Sequence, residues 1–186
     1  MRRLPHTAFA AAVAPALAPA TAACVGASAA GPPPVLPASA IGYLSSTARP
    51  LDAGDLAGED GLGELAGDLG RWGFVAGAER TFQGQSKRLQ IVVSRTLDFR
   101  DASGARAYVR FVRHHAASYL GDASRAKPLA DGRRRGWLFV GAPCACHMAS
   151  PALVGVASAG RRVSWLEVNG PTASAGVLSR LLARAP

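Results

Sequence analysis

Cysteine is scarce, with three in 186 residues, at positions 24, 144 and 146. An odd count leaves at least one thiol outside any internal disulfide. Lysine is nearly absent, because Lys87 and Lys127 are the only bases that are not arginine. Alanine and glycine abound beside those arginines, a pattern of G+C-rich coding that accounts for part of the arginine excess. No apolar run reaches the roughly 20 residues of a membrane-spanning helix. The signatures Gly-x-Ser-x-Gly, the P-loop and the dinucleotide-binding glycine pattern are all missing, so the sequence nominates no catalytic residue. Internal repeats are absent too. The arginines are not interleaved with aromatics as in a single-strand nucleic-acid binder, and no nucleic-acid partner is expected.

What is present begins with a leader. Met1-Arg2-Arg3 is basic, Ala8 to Ala20 is apolar and small residues follow. That order is an export signal, read here as residues 1–24. Prolines at 15 and 19 argue against a helix interior in this run. The signal has two candidate endings. Thr21-Ala22-Ala23-Cys24 resembles a lipoprotein box, which would make Cys24 the lipid-bearing first residue. Ala27-Ser28-Ala29 would instead suit release of a soluble protein. The lipoprotein ending is preferred, which places the chain on the outer face of the cytoplasmic membrane or in the cell envelope. Either ending leaves Cys144 and Cys146 as an even pair. Loss of Arg2 and Arg3 changes the net charge from +9 to 9 − 2 = +7.

Residues 25–40 are alanine, glycine, serine and proline around Pro32-Pro33-Pro34, a composition that reads as a semi-extended tether. Residues 41–186 then form one domain, large enough for its own core. Leucines 56, 62, 65 and 69 predict a helix over Leu56–Arg71, weakened by its glycines. Strands are expected at Phe74–Phe82 and Arg88–Arg100. In the second, Leu89, Ile91, Val93, Leu97 and Phe99 alternate along one face and Arg95 interrupts them, the pattern of a sheet with one buried face. A helix over Asp101–Leu120, capped by Asp101 or Ser103, follows. Residues 121–135 read as a polar loop. Trp137–Val140 is a short strand. Leu153–Ser158 and Arg162–Val168 form a hairpin across Ala159-Gly160-Arg161. Val177, Leu178, Leu181 and Leu182 give the last helix its apolar face. The expectation is an α+β fold, with an antiparallel sheet of about five strands and helices packed on it.

Cys144-Ala145-Cys146-His147, between Pro143 and Pro151, is the most specific motif. A local disulfide joining Cys144 and Cys146 is the first expectation for an exported chain. The same sulfurs with His147 could hold copper or zinc, or a strained ring could serve thiol exchange. Covalent haem needs two residues between the cysteines, and only Ala145 stands there. His114 and His115 point about 100° apart on a helix, so they do not share one ion. Trp72, Trp137 and Trp165 are candidates to line a pocket, although strand tryptophans more often pack a core. A basic set comprises Arg106, Arg110 and Arg113 on the helix and Arg125, Lys127, Arg133, Arg134 and Arg135 beyond it. It is either a solvated face or a site for anionic lipid or cell-envelope polymer.

The leader, the Pro-rich segment and the single small domain together resemble exported lipoproteins of G+C-rich bacteria. The order of strands and helices is similar to the Mog1/PsbP-type antiparallel sandwich, which carries no site residues across. The function that follows is a non-enzymatic, membrane-tethered binding or interaction lipoprotein. The alternative is a metal or thiol-redox protein working through Cys144, Cys146 and His147.

Overall fold

The computed structural model describes residues 31–59, 63–84, 87–116, 125–141 and 152–186. All its strands pair antiparallel in one sheet of seven, not the expected five. They are β1 (Ser45–Leu51), β2 (Phe74–Gln83), β3 (Ile91–Phe99), β4 (Arg125–Asp131), β5 (Arg134–Val140), β6 (Ala152–Ala159) and β7 (Arg162–Asn169). The spatial order is β1-β2-β3-β7-β6-β5-β4. Two meanders, β1 to β3 and β4 to β7, therefore lie side by side and join where β3 meets β7.

Both unexpected strands are the sheet's edges, and their composition explains why they escaped the alternation test. β1 reads Ser-Ser-Thr-Ala-Arg-Pro-Leu and β4 reads Arg-Ala-Lys-Pro-Leu-Ala-Asp. Each carries a proline, Pro50 or Pro128, which an edge tolerates because only one side needs ladder hydrogen bonds. Each also carries charge, which discourages pairing with another chain. The region read as a polar loop over 121–135 therefore holds a hairpin. It turns at Gly132, whose φ of +54° suits glycine.

The described residues form four α-helices: α1 (Ala53–Glu59), α2 (Leu65–Arg71), α3 (Ala102–His114) and α4 (Ala175–Arg184). The expected helix over 56–71 is thus two short ones in the described residues. Asp101 caps α3, accepting from the backbone N–H of Ser103 at 2.8 Å and of Gly104 at 2.9 Å. Its carboxyl is held below the usual range, first by the Ser103 hydroxyl and then by these N–H groups. α1, α2 and α3 cover one face of the sheet, where Leu56, Leu65, Leu69, Tyr108 and Val112 meet Leu97, Phe99 and Trp165.

The opposite face is buried as well, which the alternation in β3 did not indicate. Leu178, Leu181 and Leu182 of α4 pack there against Phe82, Val92, Leu166 and Val168. Leu36, within the Pro-rich segment, is fully buried in the same cluster. Its N–H donates to the Ser94 hydroxyl at 3.4 Å. Ser94 and Thr96, polar positions of β3, are consequently buried. Among the described residues both core clusters draw on positions between Leu36 and Leu182, all of which a chain beginning at Val25 retains.

Candidate functional site

A single register line crosses all seven strands on the face that α1, α2 and α3 cover. Arg49, Glu79, Arg95, Trp165, Val156, Trp137 and Pro128 are successive cross-strand partners. Its first half is a polar cluster, buried at Glu79 and Arg95 and exposed at Arg49. Glu79 accepts from Arg95 Nε at 2.7 Å and from Arg49 Nε at 3.3 Å. The Arg95 guanidinium also lies 4.6 Å from the centre of the Trp165 ring, a cation–π contact. Arg95 thus interrupts the apolar alternation of β3 because an ion pair is built there. Glu167, two residues beyond Trp165 on β7, is pushed above the usual glutamate range by burial; Arg95 opposes that rise and Glu79 adds to it.

The second half of the line opens into a groove. Among the described residues α3 runs over β3, β7, β6 and β5, and its packing thins towards the edge strand β4. Pro128 and Ala130 of β4 are short, so a depression of about 330 Å³ remains between α3 and β4–β5. Val109, Pro128, Leu129 and Trp137 give it apolar walls. Arg106 and Arg110 from α3 and Arg135 from β5 stand around it. Their helical spacing puts Arg106 and Arg110 one turn apart on one side of α3. Among the described residues no carboxylate pairs with any of the three. Asp101 lies close enough to feel Arg106 but is committed to the helix cap. Arg135 donates to the backbone oxygens of Gly132 and Arg134 at 2.7 and 2.9 Å, which fixes its guanidinium without neutralising it. A second depression, lined by Arg71, Trp72, Arg100 and Arg110, adjoins through Arg110. There Arg71 is already paired with Asp68.

The structure divides the basic set found in the sequence. Arg106, Arg110 and Arg135 share the groove. Arg113 stacks on Trp137, 3.8 Å from the ring centre, and holds that side chain at the groove wall. Arg134 points elsewhere and donates to the Ala185 carbonyl at 2.5 Å. Arg133 is exposed at the turn. Arg125 and Lys127 are exposed on the edge strand. Of the tryptophans, Trp137 lines the groove, Trp72 the neighbouring depression, and Trp165 is core. His115 Nδ1 donates to the Phe111 carbonyl at 2.9 Å and its ring stacks on Phe111, while His114 is exposed.

Cys24, Cys144, Cys146 and His147 lie outside the described residues. The chain on either side of the cysteine motif is joined by the Gly141 N–H donating to the Ala152 carbonyl at 3.0 Å. Among the described residues no group of three or more His, Cys, Asp or Glu side chains is arranged to hold a metal ion. No described helix is long and apolar enough to cross a membrane.

No protein-family model, the Mog1/PsbP type included, and no curated protein sequence matches the chain. Among solved structures it is similar to the extracellular domain of PknH from Mycobacterium tuberculosis. The identity is 12%, over 75% of this chain and 82% of that one, with a TM-score of 0.47. So distant a likeness decides neither site nor function.

Proposed function

We propose that this protein is an exported binding module, tethered by lipid on Cys24, that holds an anionic segment of envelope polymer between α3 and the β4–β5 hairpin. The observation that carries this reading is the groove itself: Arg106, Arg110 and Arg135 stand without carboxylate partners among the described residues around apolar walls that include Trp137. Guanidinium groups recognise phosphate and carboxylate by paired, planar hydrogen bonds. The Trp137 ring and Pro128 offer surface to the uncharged parts of a repeating unit. A concave site favours a chain laid into it over a flat bilayer surface. The leader supports the exported location, and the Thr21-to-Cys24 box supports the anchor.

Two experiments separate site from anchor. Titration of the chain from Val25 with poly(glycerol phosphate), followed by calorimetry, is expected to show binding that weakens as salt rises. R106E/R110E is expected to weaken it at least about thirtyfold, since each reversal replaces an attraction with a repulsion of about 1 kcal/mol or more. Unchanged affinity would remove the groove from the account. Independently, Cys24→Ala in the exporting cell is expected to move the protein from the membrane to the soluble fraction. Unaltered fractionation would remove the lipid anchor and leave the groove untouched.

A further inference from the structure

The face opposite the groove carries a second basic surface, built differently. Here the short 3-10 turn Ala38–Ile41 packs beside α4. A shallow depression of about 300 Å³ lies between them, bounded by Tyr43, Val177, Arg180 and Arg184 among others, and no acidic residue lines it. Tyr43 is 49% exposed; among the described large apolar side chains only it and Val75 are exposed. The Arg88 guanidinium lies 6.0 Å from the Tyr43 ring centre, and exposed Lys87 precedes Arg88. Arg180 and Arg184 are both exposed, one turn apart on α4. Arg184 donates to the Ala40 carbonyl at 3.2 Å, which ties α4 to the segment entering the fold.

We infer that this surface docks on an anionic lipid bilayer. A tyrosine standing out among four bases is the pairing that suits the headgroup region, where an amphipathic ring sits at the interface and cations meet anionic lipid. Leu36, Ile41 and Leu44, from the segment entering the fold, are buried on this same face. The inference takes the exported reading above as given. With the α4 face on the membrane, the Arg106–Arg110–Arg135 groove faces away from it, towards the envelope.

The test uses the chain from Val25, which carries neither leader nor lipid. Its probes are sedimented vesicles of phosphatidylglycerol and phosphatidylcholine in equal parts, and vesicles of phosphatidylcholine alone. Binding is expected to the first and not to the second. R180E/R184E is expected to lower partition at least about tenfold, and Tyr43→Ala to lower it by a smaller factor. R106E/R110E changes net charge by the same amount on the other face and is expected to leave partition within about twofold. Because Arg184 also holds Ala40, K87E/R180E provides a variant with no such contact and should behave like R180E/R184E. The inference is overturned if the chain ignores phosphatidylglycerol, if both α4-face variants bind as the parent does, or if R106E/R110E has the larger effect. Polymer binding is read in a separate titration, so failure of either claim leaves the other standing.

Discussion

Replacing Glu79 by alanine is expected to cost about 3–5 kcal/mol of folding stability, the usual loss when one partner of a buried ion pair is removed. In this protein the cost arises mainly on the side left behind. Arg95 is 10% exposed and sits between Glu79 and the Trp165 ring. Without Glu79 its charge keeps the cation–π contact but loses the carboxylate that faces its Nε. Arg49 also loses its link from the edge strand to the sheet interior. Urea denaturation of Glu79→Ala should show a much lower midpoint with little change in slope. The paired replacement Glu79→Leu with Arg95→Met should recover part of the loss, because neither member of the pair then remains to be desolvated, while Glu167 loses the Arg95 charge that favours its ionised form. A loss below about 1 kcal/mol for the single variant would mean that the cluster is solvated and not part of the core.

Gly104→Ala is expected to destabilise by about 3 kcal/mol or more, reversing the usual sign. Alanine in a helix interior normally gains up to about 1 kcal/mol over glycine. Gly104 lies in the first turn of α3, and a Cβ there would stand 1.9 Å from the Trp72 carbonyl oxygen and 3.3 Å from the Phe99 ring. The closer obstacle is backbone, so no rotamer change relieves it. α3 would have to lift from the end of α2, and overpacking of this kind costs about 1–3 kcal/mol even where side chains can yield. Because α3 also carries Arg106 and Arg110, the variant should bind poly(glycerol phosphate) more weakly as well. Gly67, beside which a Cβ meets nothing within 4 Å, is the control: Gly67→Ala should be neutral or stabilising. Equal stability of the two variants would contradict the close packing of α3 on α2.

The groove was half legible in the sequence. Helical spacing put Arg106 and Arg110 on one side of a helix, and that follows from a local period. Their partnership with Arg135 and Trp137 depends on where α3 crosses the sheet and on the register of β4 with β5, which no local pattern encodes. The edge strands were illegible for a different reason. Pro50 and Pro128 belong there because edges have spare backbone groups, and the same residues erase the alternation by which strands are recognised. Leu36 was hidden by its neighbours, since one leucine among prolines and small residues has no period. The buried pair did leave a trace. Arg95 broke an otherwise apolar face, and Glu79 stood mid-strand in Ala-Glu-Arg-Thr-Phe; sheet register makes them neighbours.

Anionic polymer is proposed to lie between α3 and the β4–β5 hairpin. Amide chemical-shift mapping of the isotopically labelled chain from Val25, titrated with poly(glycerol phosphate), tests it most directly. The largest shifts are expected at residues 106–110 and 128–137, while the α4 face around Arg180 stays still. Largest shifts on the α4 face, or shifts spread evenly over every exposed arginine, would contradict it.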